Sequence, residues 1–159
     1  MRVRAVSINN RRGKIGGGLF DGALLLDVFP KACHVEGMQI FANIMVGIVA
    51  LQHVYILVLE MFLWQKPAGR KTFRMTPEQA KETAVLAANQ GLYNGFLAVG
   101  LFWTLVYPSD YFAHQLALFF LGCVFIAACY GGYSVGRKIL FVQGGPALVG
   151  LIATLCWSP

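Results

Sequence analysis

The chain has 159 residues, of which 57% are hydrophobic and 13% are charged, and its formal net charge is +6. Soluble domains carry about 25% charged residues, so this composition excludes an ordinary water-soluble globular domain. The positive charge does not indicate nucleic-acid binding either, because it lies beside apolar segments and no reader motif surrounds it. We expect one compact bundle in contact with the lipid bilayer, without a second domain.

Residues 1–37 differ from the rest of the chain. They carry six of the thirteen basic residues, and their main apolar run, 19–29, is interrupted by Asp21 and Asp27. This run is too short and too charged to span a membrane, and it lacks the cleavage site of a signal peptide. We predict a poorly ordered extension and interpret Met38 as the true start of translation. The alternative is a translated tail that touches the membrane.

Four apolar stretches follow, each close to the ~20 residues that a helix needs to cross hydrocarbon. We predict transmembrane helices over 39–64, 83–106, 112–135 and 139–157. The short second and third links imply antiparallel neighbours. The predicted fold class is therefore all-α, a polytopic membrane protein built as an antiparallel bundle of four transmembrane helices in residues 38–159.

Every Lys and Arg after Met38 lies in two of the links between these helices. Five are in residues 65–82 and two are in residues 136–138, whereas the link over 107–111 has none. Because basic loops stay in the cytoplasm, this pattern predicts that both basic links are cytoplasmic and that the N- and C-termini are outside.

Local signals refine the helices. Thr76 and Gln79 form a predicted capping box, with Pro77 at the first helical position. Small residues allow close helix contact in lipid, and we expect such contacts at five glycines. These are Gly122, Gly131, Gly132, Gly145 and Gly150.

Polar side chains inside the predicted helices are costly in hydrocarbon, so each needs a partner or a purpose. Counted at ~1.5 Å per residue from the basic end of each helix, they form two layers. We predict one polar site in the cytoplasmic half of the bundle, with His53 and Glu60 as candidate catalytic residues. The candidate substrate-binding residues are Asn89, Gln90, Tyr130 and Gln143, in the shallower layer with Glu60, and Asn94 and Cys123, in the deeper layer with His53.

Each polar residue also has a structural interpretation. Glu60 is close enough to the interface to meet Lys66 or Arg70, and His53 can hydrogen-bond a neighbouring helix. Amides often serve as packing contacts between membrane helices. His114 lies near the outer end, where we expect it to be interfacial. The cysteines show neither disulfide nor zinc spacing, and we expect no metal.

Longer motifs point to a family. Residues 53–64 read HVYILVLEMFLW, and residues 86–97 read LAANQGLYNGFL; FLGC and ILFVQG follow at 120–123 and 139–144. Over residues 38–157 the chain resembles a bacterial family of small integral membrane proteins, the domain of unknown function 1304 family. The resemblance implies four spans in a bacterial inner (plasma) membrane. It implies no activity and assigns no catalytic residue.

Several functions remain open at this point. The first is a bundle whose polar site binds a lipophilic small molecule or holds a protein partner. The second is a small proton-coupled exporter of lipophilic cations, which would act as a homodimer with Glu60 exchanging protons. The third is an intramembrane enzyme with His53 as acid and base. The sequence contains no metal spacing, haem motif or nucleotide loop, so we expect no cofactor.

Overall fold

The structure, a computed structural model, describes residues 22–157 and Pro159, with side chains from Glu36 onward. These residues form helices and connecting turns. In chain order the helices are α1 (Gly22–Met61), α2 (Pro67–Phe73), α3 (Pro77–Glu82), α4 (Ala84–Val106), α5 (Asp110–Ser134), α6 (Arg137–Ile139), a π-helical segment (Leu140–Gly144) and α7 (Gly145–Cys156).

Within the described residues, four helical segments are long and apolar enough to cross a membrane. We number them in chain order as spans 1 to 4: Glu36–Met61, Ala84–Val106, Asp110–Ser134 and Arg137–Cys156. The prediction of four transmembrane helices is confirmed, and the chain is a multi-pass membrane protein. Span 1 ends earlier than predicted, because the N–H of Leu63 turns back to the Val58 carbonyl at 3.1 Å.

The predicted extension over residues 1–37 falls partly outside the described residues, which begin at Gly22. Helix α1 starts there and continues into span 1, so it begins before the predicted residue 39. The start of translation at Met38 stays a prediction.

Spans 1 and 2 run antiparallel in a fixed register. Three contacts define it: Gly47 faces Leu105, Leu57 faces Gly95, and Met61 faces Gly91. Residue numbers fall along one helix as they rise along the other, which is the mark of antiparallel packing. Spans 3 and 4 pair in the same manner, with Ala128 against Gly144, Leu121 against Gly150 and His114 against Thr154.

The four spans form a closed ring of neighbours. Span 1 packs on spans 2 and 4, and span 3 packs on the same two, so spans 1 and 3 lie diagonally. Their shared core is almost fully buried and lies at the level of Val49, midway along span 1. Its largest members are Val46, Val49, Leu101, Leu121 and Val124.

Apolar side chains also cover the outward faces of the spans. Ile40, Val99, Ile126 and Leu155 are each more than half exposed. Soluble monomers rarely expose contiguous apolar patches larger than a few hundred Å². Hydrocarbon is the solvent in which such a surface is stable.

One end of the bundle, here called the basic end, consists of residues 62–83 and 135–138. The predicted capping box is confirmed there, since the Thr76 hydroxyl accepts from the Gln79 N–H and the Gln79 side chain accepts from the Thr76 N–H. Trp64 stacks against Phe73 with ring centroids 4.7 Å apart, and its indole N–H donates to the Thr83 hydroxyl at 3.1 Å. These contacts fasten α2 and α3 to the ends of spans 1 and 2.

Span 4 contains a π-helical segment that the sequence analysis missed. Pro146 has no N–H, so the carbonyl of Val142, four residues earlier, lacks its α-helical donor. The Gln52 Nε2 of span 1 donates to that carbonyl at 2.7 Å. A side chain from one span thus satisfies a backbone group of another, as hydrocarbon requires.

The glycine predictions are partly confirmed. A Cβ built on Gly131, Gly132 or Gly150 would lie 2.8–3.2 Å from the opposing side chain, so these positions are tight contacts. The predictions for Gly122 and Gly145 were wrong, because a Cβ there would meet nothing within 4 Å. These two glycines lie on parts of the helix surface that no neighbouring helix covers.

We predict that Gly91→Leu destabilises the bundle. A Cβ at Gly91 would lie 2.6 Å from the Met61 Cγ and 3.2 Å from the Met61 backbone nitrogen, so spans 1 and 2 must separate to admit a side chain. Overpacking of this kind costs about 1–3 kcal/mol. Thermal unfolding in detergent should show the loss. Gly122→Leu is the matched control and should unfold no earlier than the wild type; equal melting of the two variants would contradict the assigned helix contact.

We also predict that Gln52→Leu destabilises the protein by about 1–3 kcal/mol, because it strands the Val142 carbonyl in an apolar environment. Pro146→Ala restores a backbone N–H to that carbonyl. In the Pro146→Ala background, Gln52→Leu should therefore cost much less, as measured by a double-mutant cycle of unfolding free energies. Equal costs in both backgrounds would disprove the role given to Gln52.

Candidate functional site

A short hydrogen bond between two side chains joins spans 1 and 2 at Glu60 and Asn94. Glu60 is the penultimate residue of α1 and is only 8% exposed. Asn94 Nδ2 donates to its Oε2 at 2.8 Å and also donates to the Gln90 carbonyl at 3.1 Å. Gly91 makes this contact attainable, since its missing side chain lets α4 approach Glu60 and Met61 closely enough for a short amide to reach.

Glu60 also lines a cavity of ≈ 250 Å³ at the basic end. The wall combines this carboxylate with the ammonium-bearing Lys66, the Gln65 amide and the indole of Trp64. An ionised carboxylate offers about four acceptor positions, and Asn94 fills one of them. The cavity can therefore receive a group that donates hydrogen bonds or carries positive charge.

A second, apolar recess of ≈ 300 Å³ follows the junction of spans 1 and 2 towards the middle of the bundle. Val54 and Leu57 form its span 1 side, and Leu92, Phe96 and Phe102 lie on its span 2 side. Met61, in the wall of the polar cavity, lies on the same helical stripe as Val54 and Leu57. The polar cavity and the apolar groove thus lie one after the other along spans 1 and 2.

His53 is isolated from this site. It is 2% exposed, and its Nδ1 lies 2.8 Å from the Val49 carbonyl of its own helix. A carbonyl oxygen only accepts, so Nδ1 carries the proton. Seven helical residues separate His53 from Glu60, which amounts to about 10 Å along the axis. The two candidate catalytic residues do not form an acid–base pair, since Glu60 is bonded to Asn94.

The two predicted layers do not describe the register. Asn94, assigned to the deeper layer with His53, contacts Glu60 of the shallower layer. The two layers assume that Thr83 and Trp64 lie at the same depth, which the structure contradicts. Met61 faces Gly91, which lies eight residues, or about 12 Å, along the helix from Thr83. The start of span 2 therefore extends beyond the end of α1.

The other predicted site residues are not gathered around Glu60 by their side chains. Asn89 and Gln90 are exposed, although the Gln90 carbonyl holds the Asn94 amide. Tyr130 is 71% exposed on the outer surface of span 3. Cys123 and Gln143 are partly buried and lie on spans 3 and 4.

His114, which was expected near the outer end of span 3, is buried between spans 3 and 4. It is 8% exposed, its Nε2 donates to the Thr154 carbonyl at 3.0 Å, and its ring lies edge-on to Trp157 with centroids 5.3 Å apart. The sequence carried the signal, because His114 begins the helical stripe that continues through the buried Ala117 and Leu121. This imidazole joins spans 3 and 4 at the end opposite the basic end.

Among the residues whose side chains are described, no group of three or more His, Cys, Asp or Glu side chains could hold a metal ion. The arrangement around Glu60 consists of a carboxylate, an amide and a mixed polar and apolar wall.

These features define a class: a small multi-pass helical membrane protein with one buried carboxylate–amide pair beside a cavity at the basic end. The chain belongs to the family described as Protein of unknown function (DUF1304), whose model matches residues 47–155. The matched region contains His53, Glu60 and Asn94, and it confirms the family expected from the sequence motifs.

A similar bacterial protein is the uncharacterized protein YpaA of Lactococcus lactis subsp. lactis (strain IL1403). It is 31% identical over 119 residues, which cover 74% of this chain and 98% of the relative. No solved structure matches the chain.

We predict that the Glu60–Asn94 bond contributes about 1 kcal/mol to the free energy of unfolding. Hydrogen bonds between membrane helices average about 0.6 kcal/mol, and a charged acceptor strengthens the bond. A double-mutant cycle with Glu60→Ala and Asn94→Ala should show this coupling. The matched cycle with Asn89→Ala, five residues earlier on the same helix, should be additive. Additivity in both cycles would contradict the contact.

Proposed function

We propose that this protein binds a lipophilic molecule at the Glu60 cavity and recognises it by a polar head that donates hydrogen bonds or carries positive charge. One observation carries the proposal. A carboxylate buried at the end of a membrane span lines a cavity while most of its acceptor capacity is unused by Asn94. Ionisable groups within spans are costly and mark functional sites by default.

The proposal includes an orientation. With the two basic links in the cytoplasm, both termini lie outside and the Glu60 cavity opens at the cytoplasmic leaflet of the plasma membrane. The polar head of a ligand would then lie at headgroup depth, and its apolar part would follow the groove beside Val54 and Leu57. No second copy of the chain is required, because one chain supplies both recesses.

The geometry supports binding better than it supports catalysis. An acid–base role for His53 needs a reacting group within hydrogen-bond reach. His53 is almost fully buried and lies in the wall of neither recess, and Glu60 is bonded to Asn94. The exporter alternative is also less well supported, since carriers hold their coupling site near the bilayer midplane and Glu60 lies at the end of its span.

Asn94 has a positioning role in this proposal. Its amide fixes one carboxylate oxygen and leaves the other free to face the ligand. The Gln90 carbonyl holds the same amide nitrogen, so the carboxylate does not have to be oriented by the ligand itself. Such preorganisation reduces the cost of ordering the site on binding.

We predict that the protein in phosphatidylcholine nanodiscs binds octylammonium more tightly than octanoate, which has the same chain length and the opposite charge. Empty nanodiscs give the partitioning background in calorimetry. Glu60→Gln should weaken octylammonium binding about tenfold, the effect of losing about 1.4 kcal/mol. Glu82→Gln removes the same charge from an exposed position at the end of α3 and should leave binding unchanged.

The opposite outcome would be equal binding of the two amphiphiles, or octylammonium binding that Glu60→Gln does not alter. Either would show that the carboxylate is not the recognition group, and the proposed function would fail.

A further inference from the structure

The Glu60 cavity presents both signs of charge. Lys66 lies in the same wall as Glu60, at the position that precedes α2, and Gln65 adds an uncharged donor beside it. A site for a simple cation gains nothing from a lysine, which would repel it. A site for a simple anion gains nothing from a buried carboxylate. Both groups are useful together when the ligand is itself zwitterionic.

We propose that the ligand is an aminophospholipid, with its ammonium group at Glu60, its phosphate at Lys66 and one acyl chain in the apolar groove. This inference rests on the proposed function and names its ligand class. The shared chemistry is that of an aminoalkyl phosphate ester. The lysine ammonium is carried on a flexible four-carbon stem, so it can follow the phosphate while the carboxylate is held in place by Asn94.

The groove has the dimensions of one leaflet. Its span 2 side extends from Leu92 to Phe102, ten residues or about 15 Å along the helix. The hydrocarbon core is about 30 Å thick, so this length is that of an acyl chain in a single leaflet. The groove is lined by apolar side chains, and Leu57 in its wall lies one helical turn from Met61, which lines the polar cavity.

Recognition of this head requires selection against the anionic lipids of the same leaflet. Lys71 and Arg74 are exposed at the basic end and attract any anionic headgroup without distinguishing its chemistry. Glu60 adds the repulsive element: a phosphatidylglycerol head would bring a negative phosphate into its cavity with no ammonium to neutralise the carboxylate. An ethanolamine head brings its own positive charge to that position.

The test reconstitutes the full chain in nanodiscs of equal parts dioleoyl phosphatidylethanolamine and dioleoyl phosphatidylglycerol, then extracts it in mild detergent. Native mass spectrometry measures the ratio of the two retained lipids. The wild type should be enriched about tenfold in the ethanolamine lipid, and Glu60→Gln should abolish the preference. Lys66→Met should lower retention of the ethanolamine lipid, because it removes the charge that holds the phosphate. Lys71→Met, the same change at an exposed position of α2, should give the wild-type ratio.

The outcomes separate the two proposals. Glu60-dependent octylammonium binding with no lipid preference overturns the aminophospholipid and leaves the proposed function standing. Loss of both the octylammonium binding and the lipid preference overturns both proposals. Displacement of the lipid by an equal concentration of soluble glycerophosphoethanolamine overturns a membrane source for the head. If thermal unfolding shows that Glu60→Gln does not fold, the comparison of Lys66→Met with Lys71→Met decides the question. Equal retention of the ethanolamine lipid by these two variants overturns the inference.

Discussion

The close approach of spans 1 and 2 at Gly91 is the constraint on which the site depends. Without a side chain at that position, the backbone of α4 lies against Glu60 and Met61. That approach sets the register of the two helices and brings the short Asn94 amide to the carboxylate. In hydrocarbon, packing of this kind and the hydrogen bonds that it permits drive helix association, because lipid tails are as apolar as the helices themselves. One missing side chain thus determines both the helix contact and the polar pair.

The same physical requirement shapes the opposite side of the bundle. A backbone carbonyl in hydrocarbon must have a partner, and Pro146 removes the one that an α-helix would supply to Val142. Gln52 provides the substitute from span 1. Together with Gly91, this gives span 1 specific contacts to both of its neighbours, while the core around Val49 supplies the non-specific packing between these contacts.

The sequence predicted the four spans because length and hydropathy alone decide whether a helix can cross a bilayer. It did not predict the register, because the turn after Met61 places the end of α1 opposite Gly91 and not opposite the start of span 2. The polar residues were therefore grouped by depth into one cluster, whereas Glu60 pairs with Asn94 and His53 bonds to its own helix. Two features could have been predicted. Pro146 indicates that a helical carbonyl needs another donor, which Gln52 supplies, and the helical stripe through His114 indicates that this side chain is buried. The Glu60 cavity could not be predicted from the sequence, since it depends on how residues 62–66 fold back.

The π-helical segment also bears on how the protein is assembled. Span 4 follows spans 1 to 3 in the chain, and its Val142 carbonyl lacks the α-helical donor that Pro146 cannot supply. That group accepts from the Gln52 side chain when span 4 docks on span 1. Docking of span 4 therefore also completes the hydrogen bonding of its own backbone. A chain interrupted before span 4 would leave the Gln52 amide in hydrocarbon without the acceptor that it has in the bundle, which is an energetic cost that docking of span 4 removes.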